Sequence, residues 1–186
     1  MNEHVKKHSV QWGLIVGGIS VIYAAIAYAI DWSLFANAWA GIIMGIIGIS
    51  LLLIPVARVK KAQGGYLSFK EGFSAYVLGW IIQAFIGVAF NLLLFNAIDP
   101  ESGAEINEMI MDTQIERLES FGMSDEQMAA SLERLEEMDS FSVETQLQGI
   151  LYSIIFGAVI GLIVGAAFSK KRPILDDEQQ EETLDA

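Results

Sequence analysis

The sequence predicts an all-α membrane protein: four transmembrane helices, with an extramembrane acidic helical hairpin between the third and the fourth. Three observations lead there. Four runs carry almost no ionisable side chain, Val10–Ile30, Leu34–Val56, Phe73–Ile98 and Gln146–Phe168, and each reaches the ~20 residues that cross a bilayer core. The formal charge of −12 is local, because residues 99–144 hold fourteen Asp or Glu against Arg117 and Arg134 while the rest of the chain balances. The last run repeats a small residue every fourth position, at Gly149, Ser153, Gly157, Gly161, Gly165 and Ser169. In a helix of about 3.6 residues per turn these line one slowly drifting face. The chain therefore divides into residues 1–98, three spans with a cytoplasmic N-terminus; 99–144, the external acidic hairpin; 145–169, the fourth span; and 170–186, a cytoplasmic tail whose composition after Pro173 argues for disorder.

The first span follows a short polar lead with Lys6 and Lys7. Its apolar stretch exceeds the roughly 7–15 residues of a signal peptide, so an uncleaved helix is expected. His4 and His8 at i, i+4 beside Glu3 resemble half a metal site, but two ligands in a fraying terminus make a poor one and solvent-exposed imidazoles are expected. Gly13 and Gly17 offer a close-approach patch.

Asp31, Trp32 and Ser33 break the chain before the second span, which carries Gly41, Gly45 and Gly48. Pro55, then Arg58, Lys60 and Lys61, mark its end, and Gly64–Gly65 stop the helix. Tyr66 to Phe73 reads as a short interfacial helix entering the bilayer. The tryptophans and tyrosines lie mostly toward run ends, where amphipathic rings favour the headgroup level.

The third span repeats the four-residue spacing with polar members: Ala75, Gly79, Gln83, Gly87 and Asn91. Gln83 and Asn91 are costly against hydrocarbon, so this face should turn inward, and the small-residue groove of the fourth span is its natural partner. The packing set is thus Gly149, Ser153, Gly157, Gly161 and Gly165 on one helix and Gly79, Gln83, Gly87 and Asn91 on the other. Small residues repeated in this way let transmembrane helices approach closely.

Asp99–Pro100 stops the third helix, and Ser102 with Glu105 matches a capping box that starts another. Along it Glu105, Glu108, Asp112, Glu116 and Glu119 form one acidic stripe, with Ile106, Ile110 and Leu118 pointing elsewhere. Gly122 closes this helix; Ser124 with Gln127 opens the second arm, whose apolar stripe is Met128, Leu132, Leu135 and Met138.

All nine Lys and Arg outside the acidic segment fall in the N-terminal lead, the second-to-third connection and the start of the tail. Four spans put these on one side, and the positive-inside rule makes that side cytoplasmic, with both termini there. Chemistry is sparse. Cysteine is absent, which removes disulfides and thiolate sites. No metalloprotease, phosphate-loop, nucleophile-elbow or calcium-loop motif occurs, and no charged residue sits near the centre of a span, as coupled transporters and intramembrane hydrolases require. No enzyme activity, cofactor or catalytic metal is expected. Nucleic acid is excluded as a partner by the acidic balance; the lipid bilayer is one by composition.

The residues Gly64-Gly65-Tyr66-Leu67-Ser68-Phe69-Lys70-Glu71-Gly72-Phe73, Asp99-Pro100 and the acidic helical insert ahead of the fourth span resemble the small bacterial membrane proteins of domain of unknown function family 4199. The resemblance implies a multi-pass bacterial membrane protein and supplies no activity. The residues themselves support a structural or interaction protein of the bacterial cytoplasmic membrane, its acidic stripe the contact surface for a partner protein or divalent cations. The alternative is a small channel or transporter lined by Gln83, Asn91 and the glycine faces.

Overall fold

The computed structural model describes residues 2–120, 128, 130–132 and 139–171. The helices whose bounds are described are α1 (Glu3–Ile30), α2 (Ser33–Ala36), α3 (Ala38–Leu51), α4 (Leu53–Ala62), α5 (Phe69–Leu93), α6 (Pro100–Ser120) and α7 (Val143–Phe168), with a π-helical turn at Leu94–Ile98 closing α5. Four stretches are long and apolar enough to cross a membrane, Glu3–Ile30, Ala38–Ala62, Phe69–Ile98 and Val143–Phe168. The protein is a multi-pass helical membrane protein. Of the expected second hairpin arm, only Met128 and Leu132 among the residues named above are described, both helical and half-buried. Gly122, Ser124, Gln127, Leu135 and Met138, like the tail beyond Lys171, lie outside the described residues.

The third span, α5, is the central helix. It packs along both α1 and α7, and α4 wedges against α1 and α5. Gly13 and Gly17 on α1 are filled by α5: a methyl group at Gly13 would lie 2.8 Å from Ile82 Cβ, and one at Gly17 2.7 Å from Ile86 Cδ1. Gly79 is closed by Leu52, at the junction of α3 and α4, 2.9 Å from where its Cβ would be, and lies beside the Ser9 carbonyl. The buried core gathers Val5, Val16, Leu52, Val56, Val59, Tyr76, Trp80 and Val164. Tyr76 and Trp80 therefore belong to the core and are not interfacial anchors.

Element boundaries moved where a local hydrogen bond outweighed apolar periodicity. The second span starts at Ala38, four residues later than its apolar run, because the Asn37 side chain accepts from Trp39 N at 2.9 Å and Ala40 N at 3.3 Å. That makes Asn37 an N-cap and leaves Ser33–Ala36 as a separate turn. The same span is interrupted at Leu52. Pro55 has no amide hydrogen for the Leu51 carbonyl, and its ring crowds that oxygen. Helix α4 then ends in a Schellman motif, with Gly64 N donating to Lys61 O and Gly65 N to Lys60 O and both glycines at positive φ.

Tyr66 to Phe73 is not a separate interfacial helix. Ser68 and Glu71 form a capping box, so α5 begins at Phe69 and runs unbroken into the third span. Nor is Ser102 the cap of α6. Asp99 takes that role, accepting from Ser102 N, and Pro100 occupies the first helical position, where its missing amide costs nothing.

Candidate functional site

Three places combine positioned polar groups with a consequence for the whole fold: the α5–α7 contact, the acidic end and the basic end of the bundle.

The small-residue face of α7 is filled by large side chains. Gly157, Gly161 and Gly165 are buried. A side chain at Gly157 would overlap the Trp80 indole, one at Gly161 would lie 2.6 Å from Val77 Cγ2, and one at Gly165 3.1 Å from the Phe69 carbonyl oxygen. The α5 ridge that enters this groove is Phe69, Phe73, Val77 and Trp80, about a quarter-turn from the Gly79–Gln83–Gly87 face expected there. Large residues in a small-residue groove bury more contact area than two small faces together, since dispersion grows with the number of touching atoms. Ser153 joins this contact by accepting from Trp80 Nε1 at 3.0 Å. Gly149 lies outside it: it is exposed and its missing side chain meets nothing within 4 Å. A four-residue repeat drifts around a helix of about 3.6 residues per turn, which carries Gly149 off the contact line and puts Ile150 on it. Gly87 likewise has open space. Gln83 borders a cavity of about 60 Å³ with Ser20, Gly45 and Gly48, and Asn91 Oδ1 is buried with no hydrogen-bond partner among the described residues.

At the acidic end α6 folds over the rim of the bundle. Ile106 is fully buried with Leu94, Phe95 and Phe141, backed by Tyr28, Trp32, Phe35, Phe90 and Ile110. The Phe95 and Phe141 ring centroids are 4.1 Å apart. Polar ties surround this cluster: Arg117 Nη2 donates to Ala36 O at 3.0 Å, Asn96 Nδ2 to Phe141 O at 2.8 Å, and Ser140 N to Asn107 Oδ1 at 2.9 Å. Asp99 joins helix and bundle, taking the Ser102 hydroxyl at 2.6 Å and the Tyr28 hydroxyl at 2.5 Å. Hydrogen bonds from Ser102 first, and then from Tyr28, hold its carboxyl below the ordinary aspartate value. The stripe of Glu105, Glu108, Asp112, Glu116 and Glu119 is exposed at every position, and Glu108 also borders a cavity shared with Phe95, Asn96 and Phe141. Among the described residues no three His, Asp or Glu side chains converge as metal ligands would. His4 is exposed, but His8 is half-buried rather than solvated, its Nδ1 without a hydrogen-bond partner among the described residues.

The basic end is organised by Glu71. One carboxylate oxygen accepts from Asn2 Nδ2 at 3.1 Å and Gln63 Nε2 at 2.8 Å; the other accepts from the Ser68 hydroxyl at 2.8 Å and Ser68 N at 3.2 Å. The start of α1, the end of α4 and the start of α5 thus meet on one side chain. The fourth span is tied in by backbone bonds between Leu67 and Lys170, at 3.0 and 2.8 Å, and by Lys60 Nζ donating to Phe168 O at 2.9 Å. That ammonium caps a helix C-terminus whose carbonyls have no further partners in the helix. Gly72 makes this closeness possible, since its Cβ would lie 3.3 Å from Gly165 Cα. None of these roles was read from the sequence. The signal was there in Ser68-x-x-Glu71, the same capping pattern sought at Ser102.

The sequence matches the family described as protein of unknown function (DUF4199) over residues 11–170, nearly the whole chain, and the protein belongs to that family. No curated protein and no solved structure matches it.

Proposed function

We propose that this DUF4199 protein is a structural or interaction protein of the bacterial cytoplasmic membrane, with the acidic face of α6 as its contact surface and no catalytic role. The observation that carries this reading is the division of α6 into two sides. One is fastened to the bundle through Ile106 and Arg117, and the other presents five exposed carboxylates to whatever lies above it. A helix pinned on its apolar side holds a one-signed surface in a fixed orientation, which favours a basic partner by charge complementarity. The grouping of basic residues at the opposite end supports cytoplasmic termini and an external α6.

The test is a photo-crosslinking side chain at Asp112 in cells. A discrete partner band, lost on Glu108→Lys with Glu116→Lys and absent when the probe sits at lipid-facing Ile163, supports the reading; no band, or one indifferent to charge reversal, removes it. Calorimetry of the intact protein with Ca²⁺ at physiological ionic strength separates a cation ligand from a protein one, and the absence of heat at millimolar metal eliminates the cation. The second reading, a small channel or transporter, rests on the cavity beside Gln83. Solute flux through purified protein in liposomes decides it.

A further inference from the structure

Outside the α6 surface, the basic end carries a cavity of about 420 Å³ lined by Asn2, Gln63, Tyr66, Leu67, Ser68, Glu71, Lys170 and Lys171. This lies within the roughly 300–1,000 Å³ of small-molecule sites. Its polar groups are not equivalent. Both oxygens of Glu71 already accept two hydrogen bonds each, so the carboxylate has no lone pair left for a ligand. The amide and carbonyl of Lys170 are spent on Leu67. What remains is cationic. Lys170 lies over the Tyr66 ring with its ammonium 5.6 Å from the centroid, and Lys171 is exposed beside it. Among the described residues neither ammonium has a carboxylate at ion-pair distance. The donors on Glu71 are all neutral, so its charge stays, but the two ammonium groups outnumber that one carboxylate and leave the cavity net positive. This selects an anion, and phosphate is the anion that lysine commonly holds as a point charge.

Depth identifies the anion's source. The cavity lies at the start of α5, one turn before the apolar run that begins at Phe73, and so at the level where headgroups meet hydrocarbon. Beside it, in the first turn of α5, Phe69 is 45 % exposed and offers apolar surface to chains hanging from the anion. We propose that this cavity is a headgroup site for an anionic phospholipid, whose phosphate diester is held by Lys170 and Lys171 while its acyl chains descend past Phe69.

The experiment uses the full chain in nanodiscs of mixed phosphatidylglycerol and phosphatidylethanolamine, with retained lipid counted by native mass spectrometry after detergent extraction. Wild type should keep phosphatidylglycerol selectively. Lys170→Ala with Lys171→Ala should lose it by roughly tenfold to thirtyfold, the size of two basic contacts at an anionic surface. Lys6→Ala with Lys7→Ala, which removes two cations from the same end but not from the cavity, should keep it. The backbone bridge at Leu67 does not need the Lys170 side chain, and an unchanged thermal midpoint establishes that the double variant is folded; Lys170→Gln with Lys171→Gln serves if it is not. Equal retention in the cavity variant overturns the proposal, as does equal loss in the Lys6 and Lys7 control, which would mean a diffuse basic face. Displacement of the lipid by millimolar inorganic phosphate also overturns it, because the site would then recognise a free anion.

Discussion

At Gly161 a single hydrogen atom stands where Val77 Cγ2 needs the space of a side chain. Gly161→Leu must separate α7 from α5, and as ordinary overpacking it should cost ~1–3 kcal/mol. Leucine is the better helix former, so any loss reflects packing. The unfolding midpoint in detergent measures it, and Ile163→Leu, on the lipid-facing side, should leave that midpoint unchanged. Asp99 makes a second prediction. Its folded carboxyl titrates below the ordinary value, so its stabilising contribution is complete above the unfolded aspartate pKa of about 3.9 and is lost as pH falls through the lower, folded value. Asparagine caps a helix as well as aspartate does. Asp99→Asn should therefore melt below wild type at neutral pH, and the gap should close in acid. A gap that persists at a pH well below the carboxylate range would mean that the charge contributes nothing.

Helix α6 is held to the bundle by a buried residue and by an exposed one, and the two should differ sharply. Ile106 is fully buried in the aromatic cluster, and its truncation to alanine should cost ~2–5 kcal/mol. Arg117 is exposed and donates to one carbonyl, so Arg117→Ala should fall within the ~0–1 kcal/mol of exposed polar contacts. Hydrogen exchange locates the effect: Ile106→Ala should speed exchange over residues 100–120 and leave α5 and α7 protected. Uniform acceleration would show that the rim cluster supports the whole bundle. Helix α3 is the opposite case. It has no buried residue; a Cβ at Gly48 would meet Val16 at 3.8 Å, but Gly41 and Gly45 face open space, so these two glycines make no close approach among the described residues.

Over the whole molecule, polarity runs from end to end, and topology follows. Reporter fusions within residues 60–63 and after Arg172 should read cytoplasmic, and a fusion after Ser120 external; a cytoplasmic signal after Ser120 would invert the arrangement and take the proposed external contact surface with it. The four spans, their order and the acidic insert were legible in the sequence because each depends on composition over some twenty residues, and the penalty for charge in hydrocarbon admits few alternatives. Buried small residues such as Gly157, Gly161 and Gly165 were legible from spacing alone. The partner helix, α5, was expected as well, but the face of it that enters the groove was not. Periodicity names a face of a helix but not the direction from which the neighbour arrives, and only the packed structure put Trp80, Val77 and Phe73 in the groove, left Gly149 and Gly87 open, and made α5 the centre. Glu71 shows the same division. Its capping pattern is local and readable, whereas the donors Asn2 and Gln63 come from other elements, and a hydrogen bond across 69 positions exists only once the helices that carry its two ends have been brought together.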